Sequence, residues 1–301
     1  MFFFADAIFG TETVSNWRIK SESQPRRLPT AGAHVKMLQP FGRSRALTCP
    51  SRLASFAPVP DGPVPPSAPT PTSPHLDKLQ QFMLIAPVLL FSMVAHEYAH
   101  GYAALKQGDS TAYQLGRLTW NPVKHIDPFM TVLLPILTFV IGSFIFGGAK
   151  PVPVNPRNYR NFKRGDIIVS LAGVAVNAVI AVACTIAIIL LGMLGRAIPA
   201  AAGTFGILQI MLDYGILFNL VLIFFNLLPI PPLDGSHVMK YLLPPAWAMQ
   251  YQRIGFYGLP ILIVLLTIGS PILRVWMSPM FALYGLADQA VAPYLLRLPW
   301  A

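Results

Sequence analysis

Charged residues are scarce in this sequence. They make up 11% of its 301 residues, whereas 54% are hydrophobic, and an ordinary soluble domain carries roughly 25% charged residues. The mean hydropathy of +0.56 agrees with this imbalance. The composition therefore excludes an ordinary soluble domain and predicts an integral membrane protein that crosses the lipid bilayer several times.

Cysteine is almost absent as well. The chain has only Cys49, in a polar segment, and Cys184, in an apolar one, so we expect neither a disulfide nor a cysteine-ligated metal site. The net charge of +10 does not indicate a nucleic-acid partner, because basic residues of membrane proteins mostly mark cytoplasmic loops. The expected surroundings are the lipid bilayer, with no nucleic acid.

The chain divides by composition into two parts. Residues 58–74 are rich in Pro, Ser and Thr and cannot bury a core, so residues 1–75 are predicted to be a disordered, proline-rich N-terminal tail. Residues 76–301 are then the membrane domain. It is predicted to be an all-α bundle of about four to six transmembrane helices. Its apolar segments are 79–105, 129–147, 167–194, 205–228 and 255–277, followed by a helix at 280–298 that lies at the interface or packs on the bundle.

The first apolar segment contains the HExxH sequence His96-Glu97-Tyr98-Ala99-His100. Residues four apart lie on one face of a helix, so the two imidazoles can bind one zinc ion while the glutamate serves as general base. The alternative is a pair of histidines satisfied within a packed helix. That alternative does not explain Glu97, because ionisable residues inside a membrane are rare and usually functional.

A third zinc ligand is expected elsewhere in the chain, because catalytic zinc takes three protein ligands and keeps one open position. Asp234 is the preferred candidate. It follows an apolar helix in the stretch "FNLLPIPPLDGSH", where three prolines end the helix and are expected to force an extended stretch. An Asp-Gly pair is also typical of a simple turn, and His237 is a competing ligand.

Four motifs together resemble one family. They are "HEYAH" (96–100), "NLLPIPPLDG" (226–235), "LGRLTWNPVKHIDP" (115–128) and "FGGAKPVPVNPRNY" (146–159). The sequence is similar to the site-2 protease family of intramembrane zinc metalloproteases, in its compact bacterial branch without a PDZ domain. The resemblance implies that His96, His100 and Asp234 bind one zinc ion and that Glu97 is the catalytic base. It also implies substrates that are transmembrane proteins, cleaved in or near their membrane segments.

The resemblance extends in part to a further residue. The family often carries a Gly-Pro-x-x-Asn pattern, and here residues 173–177 read Gly-Val-Ala-Val-Asn, with the asparagine kept and the proline missing. Asn177 is therefore predicted to contact the substrate backbone or the oxyanion. The alternative is an interhelical hydrogen bond, which is common for asparagine in membrane bundles.

The shared metal restricts the topology. His100 lies near the end of its helix and Asp234 just past the end of its own, so both ends must lie on one side of the membrane. Since 167–194 crosses once between them, 129–147 is predicted not to cross once. It is expected to be a re-entrant or broken segment near the zinc site, in keeping with Pro135 and Gly142.

Basic residues give that side its orientation. Ten of them fall on the side of the predicted zinc site: Lys106, Arg117, Lys124, Lys150, Arg157, Arg160, Lys163, Arg164, Lys240 and Arg253. The opposite side has Arg196 and Lys78. Under the positive-inside rule, the protein is predicted to be a multi-pass cell-membrane protein with its active site toward the cytoplasmic face.

Two alternatives stay open from the sequence. The segment 147–154 either holds an unwound substrate by strand addition or is an ordinary surface loop. The chain itself is either a protease or a non-proteolytic metal-binding protein or transporter. The glutamate of the HExxH motif argues against mere metal binding, and the lack of an internal repeat argues against a transporter.

Overall fold

The computed structural model describes residues 78–133 and 148–296, together with Leu137 between them. Within these ranges every regular element is helical. The α-helices are α1 (Lys78–Gln107), α2 (Thr111–Gln114), α3 (Phe162–Ala197), α4 (Ala202–Asn226), α5 (Asp234–Leu242), α6 (Pro245–Ile254), α7 (Gly258–Thr267) and α8 (Ser270–Val291). The predicted tail, residues 1–75, lies outside the described residues.

Three described helices are long and apolar enough to cross a membrane, and they are α1, α3 and α4. The bent pair α7 and α8 adds a fourth span if it counts as one. The predicted all-α membrane bundle is confirmed, and the described residues supply three of the four to six expected spans, or four if the bent pair is counted.

The last apolar region differs from its prediction. A continuous span over 255–277 is wrong, because α7 ends at Thr267 and the chain bends by 81° before α8 continues. Gly269 occupies the N-cap position of α8 and Pro271 follows within its first turn. Proline is tolerated in the first turn of a helix, but it cannot continue a helix that precedes it. The break therefore falls at Gly269 and Pro271.

The core lies between α3 and α4, which pack along their length, and α1 packs against both. Apolar side chains of α3, α4, α7 and α8 fill the main cluster, including the fully buried Ile188, Ile216 and Met277. A polar contact joins α1 to α4, where buried Asn219 donates to Ser92 Oγ at 2.8 Å. Such bonds satisfy polar groups that water cannot reach in a bilayer.

The C-terminal end of α1 and the N-terminal end of α3 lie together at one end of the bundle. The Arg160 N–H, just before α3, donates to the carbonyl of Gln107 at the end of α1 (2.8 Å). α4 runs back antiparallel to α3 across a short turn, so it ends on the same side as α1. This is the parallel course of α1 and α4 that a shared metal requires.

Most of the segment 129–147 lies outside the described residues, but its two flanks are adjacent. The Gly148 N–H donates to the carbonyl of Met130 at 3.0 Å, and the Thr131 hydroxyl donates to the carbonyl of Gly148 at 2.7 Å. The chain therefore returns to the point from which it left. A re-entrant or broken segment predicts this arrangement, and a single membrane crossing does not.

Candidate metal centre

Three side chains from two distant parts of the chain meet beside the C-terminal half of α1. His96 Nε2 and His100 Nε2 lie 3.0 Å apart, and Asp234 Oδ2 lies 3.2 Å from the first and 3.4 Å from the second. All three side chains are largely buried, with exposed fractions of 9%, 12% and 19%. The structure thus brings together the three residues that the sequence predicted as zinc ligands.

The chemistry of these atoms fits a metal ion. His100 Nδ1 lies 2.7 Å from the carbonyl of Val169, so its N–H points there and the Nε2 lone pair points into the cluster. Asp234 Oδ2 is buried and forms no hydrogen bond. Electron pairs that face one another in a buried site repel unless a proton or a metal ion lies between them, and two imidazoles with a carboxylate are a ligand set that zinc takes.

The spacing also fits zinc. Zinc bonds of about 2.0–2.1 Å in tetrahedral geometry place neighbouring ligand atoms about 3.3 Å apart, and the observed separations are 3.0–3.4 Å. Among the described residues, these three are the group of His, Cys, Asp and Glu side chains able to hold a metal.

Helix α3 packs behind the two histidines, and the residues that face them are spaced by four along the helix. The carbonyl of Val169 receives His100, as described above. One turn later stands Gly173, where a Cβ would come within 2.6 Å of His100 Nε2, His96 Cε1 and His96 Nε2. Glycine at this position is what lets α1 and its imidazoles approach α3.

Asn177, one further turn along α3, contacts the other histidine. It is fully buried, and its amide nitrogen lies 3.1 Å from His96 Nδ1 while its oxygen has no partner. The two ends of an amide have the same shape. Turning this one by 180° lets His96 Nδ1–H donate to the Asn177 oxygen and leaves the Nε2 lone pair for the metal. The interhelical contact weighed from the sequence is present, and the predicted substrate contact stays a prediction.

Asp234 is delivered by a helix that the sequence did not indicate. After α4 the chain makes a hydrogen-bonded turn over 227–233, with a cis bond between Pro231 and Pro232. Asp234 then begins α5, rather than lying in an extended stretch. The helix is short, so its position depends on the contacts that it makes with α3.

Those contacts centre on Asp166, near the start of α3. Its buried carboxylate receives Lys240 Nζ at 2.5 Å, the Tyr241 hydroxyl at 2.9 Å and His237 Nδ1 at 3.2 Å, all three from α5. His237, the competing ligand, is therefore engaged away from the metal cluster. Sequence reasoning missed Asp166, because an acidic residue near the start of a helix is common without any further role.

Glu97 lies beside His96, with one carboxylate oxygen already engaged. Its Oε2 accepts the main-chain N–H of Val152 at 2.8 Å. The segment around Val152 is the one for which the sequence left open a substrate-binding strand or a surface loop. In the structure it lies against the predicted base.

Comparison with known proteins identifies the family to which the chain is similar. The sequence profile of Peptidase family M50 matches residues 190–267. The chain is 39% identical over 187 residues to "Putative zinc metalloprotease YwhC" of Bacillus subtilis, covering 62% of this chain and 80% of that protein. It is 33% identical over 195 residues to "Putative zinc metalloprotease Rip2" of Mycolicibacterium smegmatis, covering 65% and 70%. No solved structure gives a significant match.

Replacing Gly173 with alanine is expected to abolish zinc retention, because the added methyl group would occupy the space of both imidazole tips. Zinc per chain, measured by mass spectrometry on protein purified in detergent, should fall from about one to near zero. Gly285→Ala is the matched control, since a Cβ there meets no atom within 4 Å. Full zinc occupancy in Gly173→Ala would contradict this packing.

Replacing Asn177 with alanine is expected to weaken zinc binding by about 10- to 100-fold, the usual effect of removing a group that orients a ligand histidine. Asn177→Asp, which keeps an oxygen for His96 Nδ1–H, should bind more tightly than Asn177→Ala. The control is Asn219→Ala, a second buried asparagine that contacts Ser92 instead. Competition with a fluorescent zinc chelator measures all three affinities, and equal values would contradict the role.

Proposed function

The chain belongs to peptidase family M50, the site-2 protease family, and we propose that His96, His100 and Asp234 hold its zinc ion while Glu97 is its general base. The protein is an intramembrane zinc metalloendopeptidase. We propose that it hydrolyses peptide bonds in or near the transmembrane segments of other membrane proteins.

One observation carries this assignment of residues. The Nε2 atoms of His96 and His100 and the Oδ2 atom of Asp234 converge at 3.0–3.4 Å, although Asp234 comes more than a hundred residues after the two histidines. Two imidazoles and a carboxylate that converge at this spacing are a ligand set that zinc takes in catalytic sites. The site therefore supports a metal-dependent reaction.

The reaction requires an activated water and a proton carrier. Zinc, when bound, supplies Lewis acidity that makes water more acidic and polarises the scissile carbonyl. Glu97 takes the proton of the attacking water on its carboxylate and gives it to the nitrogen of the leaving amine. Because Oε2 already accepts the N–H of Val152, Oε1 is the oxygen free to carry that proton.

Asn177 supports the reaction by orienting His96. Its burial and its contact with His96 Nδ1 favour this role over a direct contact with the substrate. The non-proteolytic alternatives are not favoured, since a metal-binding protein or a transporter has no need for a base beside the metal ligands.

The membrane that holds the protein and its orientation there are also part of the proposal. The protein is a membrane protein, and we propose the cell membrane, with the zinc end of the bundle toward the cytoplasm. The basic residues around the ends of α1, α3 and α5 support this orientation under the positive-inside rule. Residues 1–75 are proposed to be a proline-rich tail that lies outside the catalytic domain.

Glu97→Gln is expected to retain about one zinc per chain and to lose cleavage of a model transmembrane substrate by about 10²–10⁴-fold, because the amide cannot accept the proton. Cleavage is followed in detergent micelles by gel mobility, with zinc content measured on the same sample. Tyr98→Phe, at the neighbouring position, is the control and should stay active. Unchanged turnover in Glu97→Gln would refute the proposed base, and cleavage that persists in a chelator would refute the zinc mechanism.

Orientation is tested by labelling single cysteines in a background that lacks Cys49 and Cys184. Arg157→Cys lies at the zinc end of the bundle, and Ala200→Cys lies in the turn between α3 and α4 at the other end; both positions are exposed. A membrane-impermeant maleimide should label Ala200→Cys on intact cells, and Arg157→Cys only after the membrane is opened. The reverse pattern would place the site outside.

A further inference from the structure

The carboxylate of Glu97 is held by a main-chain group from a distant segment. The Val152 N–H donates to Glu97 Oε2 at 2.8 Å, across 55 residues of sequence. Val152 belongs to the segment 150–155, Lys-Pro-Val-Pro-Val-Asn, here called the proline segment. The contact commits one oxygen of the carboxylate and leaves the other available.

The sequence of the proline segment singles out this N–H. Proline has no main-chain donor, so over residues 151–153 only Val152 carries an N–H. Proline also fixes its own φ near −65° and favours an extended conformation in the residue before it. The two prolines thus keep Val152 extended, as a single donor between two residues that have none.

The side chain of Val152 packs on the same face of α1. It is 5% exposed and sits against Gly101, where an added Cβ would lie 2.9 Å from Val152 Cγ1. Gly101 is four residues after Glu97, so the two lie one above the other on the helix. Val152 therefore contacts one strip of α1 through both its backbone and its side chain.

The proline segment is also fixed on either side of Val152, independently of Glu97. Before it, Arg117 Nη2 donates to the carbonyls of Lys150 and Pro151 at 3.2 and 3.3 Å. After it, the Asn155 N–H donates to Asp109 Oδ2 at 2.6 Å.

Asp109 is a strong anchor for this segment. It is completely buried, and it also receives the side-chain amide of Asn158 at 2.8 Å and the N–H of Thr111 at 3.2 Å. Burial would raise the pKa of Asp109, but these hydrogen bonds, led by that of Asn155, hold it below its usual range. The carboxylate is therefore charged at neutral pH, and hydrogen bonds to a charged group are the stronger kind.

We propose that the main-chain N–H of Val152 is the positioning donor for the general base, and that the flanking prolines and their anchors keep this N–H in place. The inference rests on the proposed role of Glu97. It assigns Val152 to the enzyme's own base rather than to pairing with an unwound substrate, because its N–H is already used. Positioning of this kind acts on the proton transfer and leaves metal and substrate binding largely unchanged.

Two substitutions at residue 152 separate the N–H from the side chain. Val152→Pro removes the donor and keeps an apolar side chain, whereas Val152→Ala keeps the donor and trims the side chain. In the full-length, zinc-loaded protein, Val152→Pro is expected to lower kcat by about 10- to 100-fold, the usual effect of a misplaced catalytic group. Its KM for a model transmembrane substrate and its zinc content should stay near those of the wild type, and Val152→Ala should keep most of kcat.

Two further variants make the comparison decisive. Val154→Pro adds a proline to the same segment without touching the donor, and it should behave like the wild type. If Val152→Pro does not fold, an ester linkage in place of the amide at residue 152, introduced with the hydroxy acid analogue of valine, removes the N–H alone and should reproduce the loss of kcat.

The measured kcat values distinguish failure of this inference from failure of the proposed function. Equal kcat in Val152→Pro and Val152→Ala, or an unchanged kcat in the ester variant, overturns the inference. A kcat above that of the wild type also overturns it, because the contact of the proline segment with Glu97 would then inhibit the base. Lack of zinc-dependent cleavage by the wild type overturns the proposed function itself, and the inference with it.

Discussion

Side chains can share one zinc ion only if their ligand atoms lie about 3.3 Å apart, and this requirement fixes the course of the membrane helices. α1 supplies two ligands in its C-terminal half, and α5, which follows α4 after a short turn, supplies the third. α1 and α4 must therefore end on the same side, with α3 running antiparallel between them. The path of the intervening chain is fixed by the same condition, because it has to leave and return at one end of the bundle.

Helix α3 supplies no zinc ligand, but three of its residues shape the site. Along α3, Val169, Gly173 and Asn177 are spaced by four residues and face the histidines, and each contributes differently. The first supplies a carbonyl, the second supplies space and the third supplies an amide. Buried polar groups are costly unless they are hydrogen-bonded, so an imidazole at this depth needs a neighbouring helix to receive its second nitrogen. α3 is the element that meets this need.

The sequence predicts that two histidines and an aspartate share a metal site, because the HExxH spacing is local and the prolines show where α4 ends. It does not lead to α5, because the same prolines indicate an extended stretch, and the helix is held by the distant contact of Lys240 with Asp166. The break between α7 and α8 is likewise hidden in an apolar run long enough to span the membrane. The donor at Val152 is harder still to foresee, since a main-chain N–H has no signature in the sequence beyond its flanking prolines.

The contact between Met130 and Gly148 has a consequence for biosynthesis. Because Met130 and Gly148 lie side by side, with the apolar segment 131–147 between them in sequence, α3 starts from the end of the bundle at which α1 stops, and α1 alone sets the direction in which α3 enters the membrane. A mature protein with both flanks at one end requires that the insertion machinery not retain this segment as an ordinary span, although its hydrophobicity resembles one. If it were retained as a span, α4 and α5 would be inverted and Asp234 would lie on the opposite leaflet from His96. The accuracy of one insertion event therefore decides whether a newly made chain can acquire its metal at all.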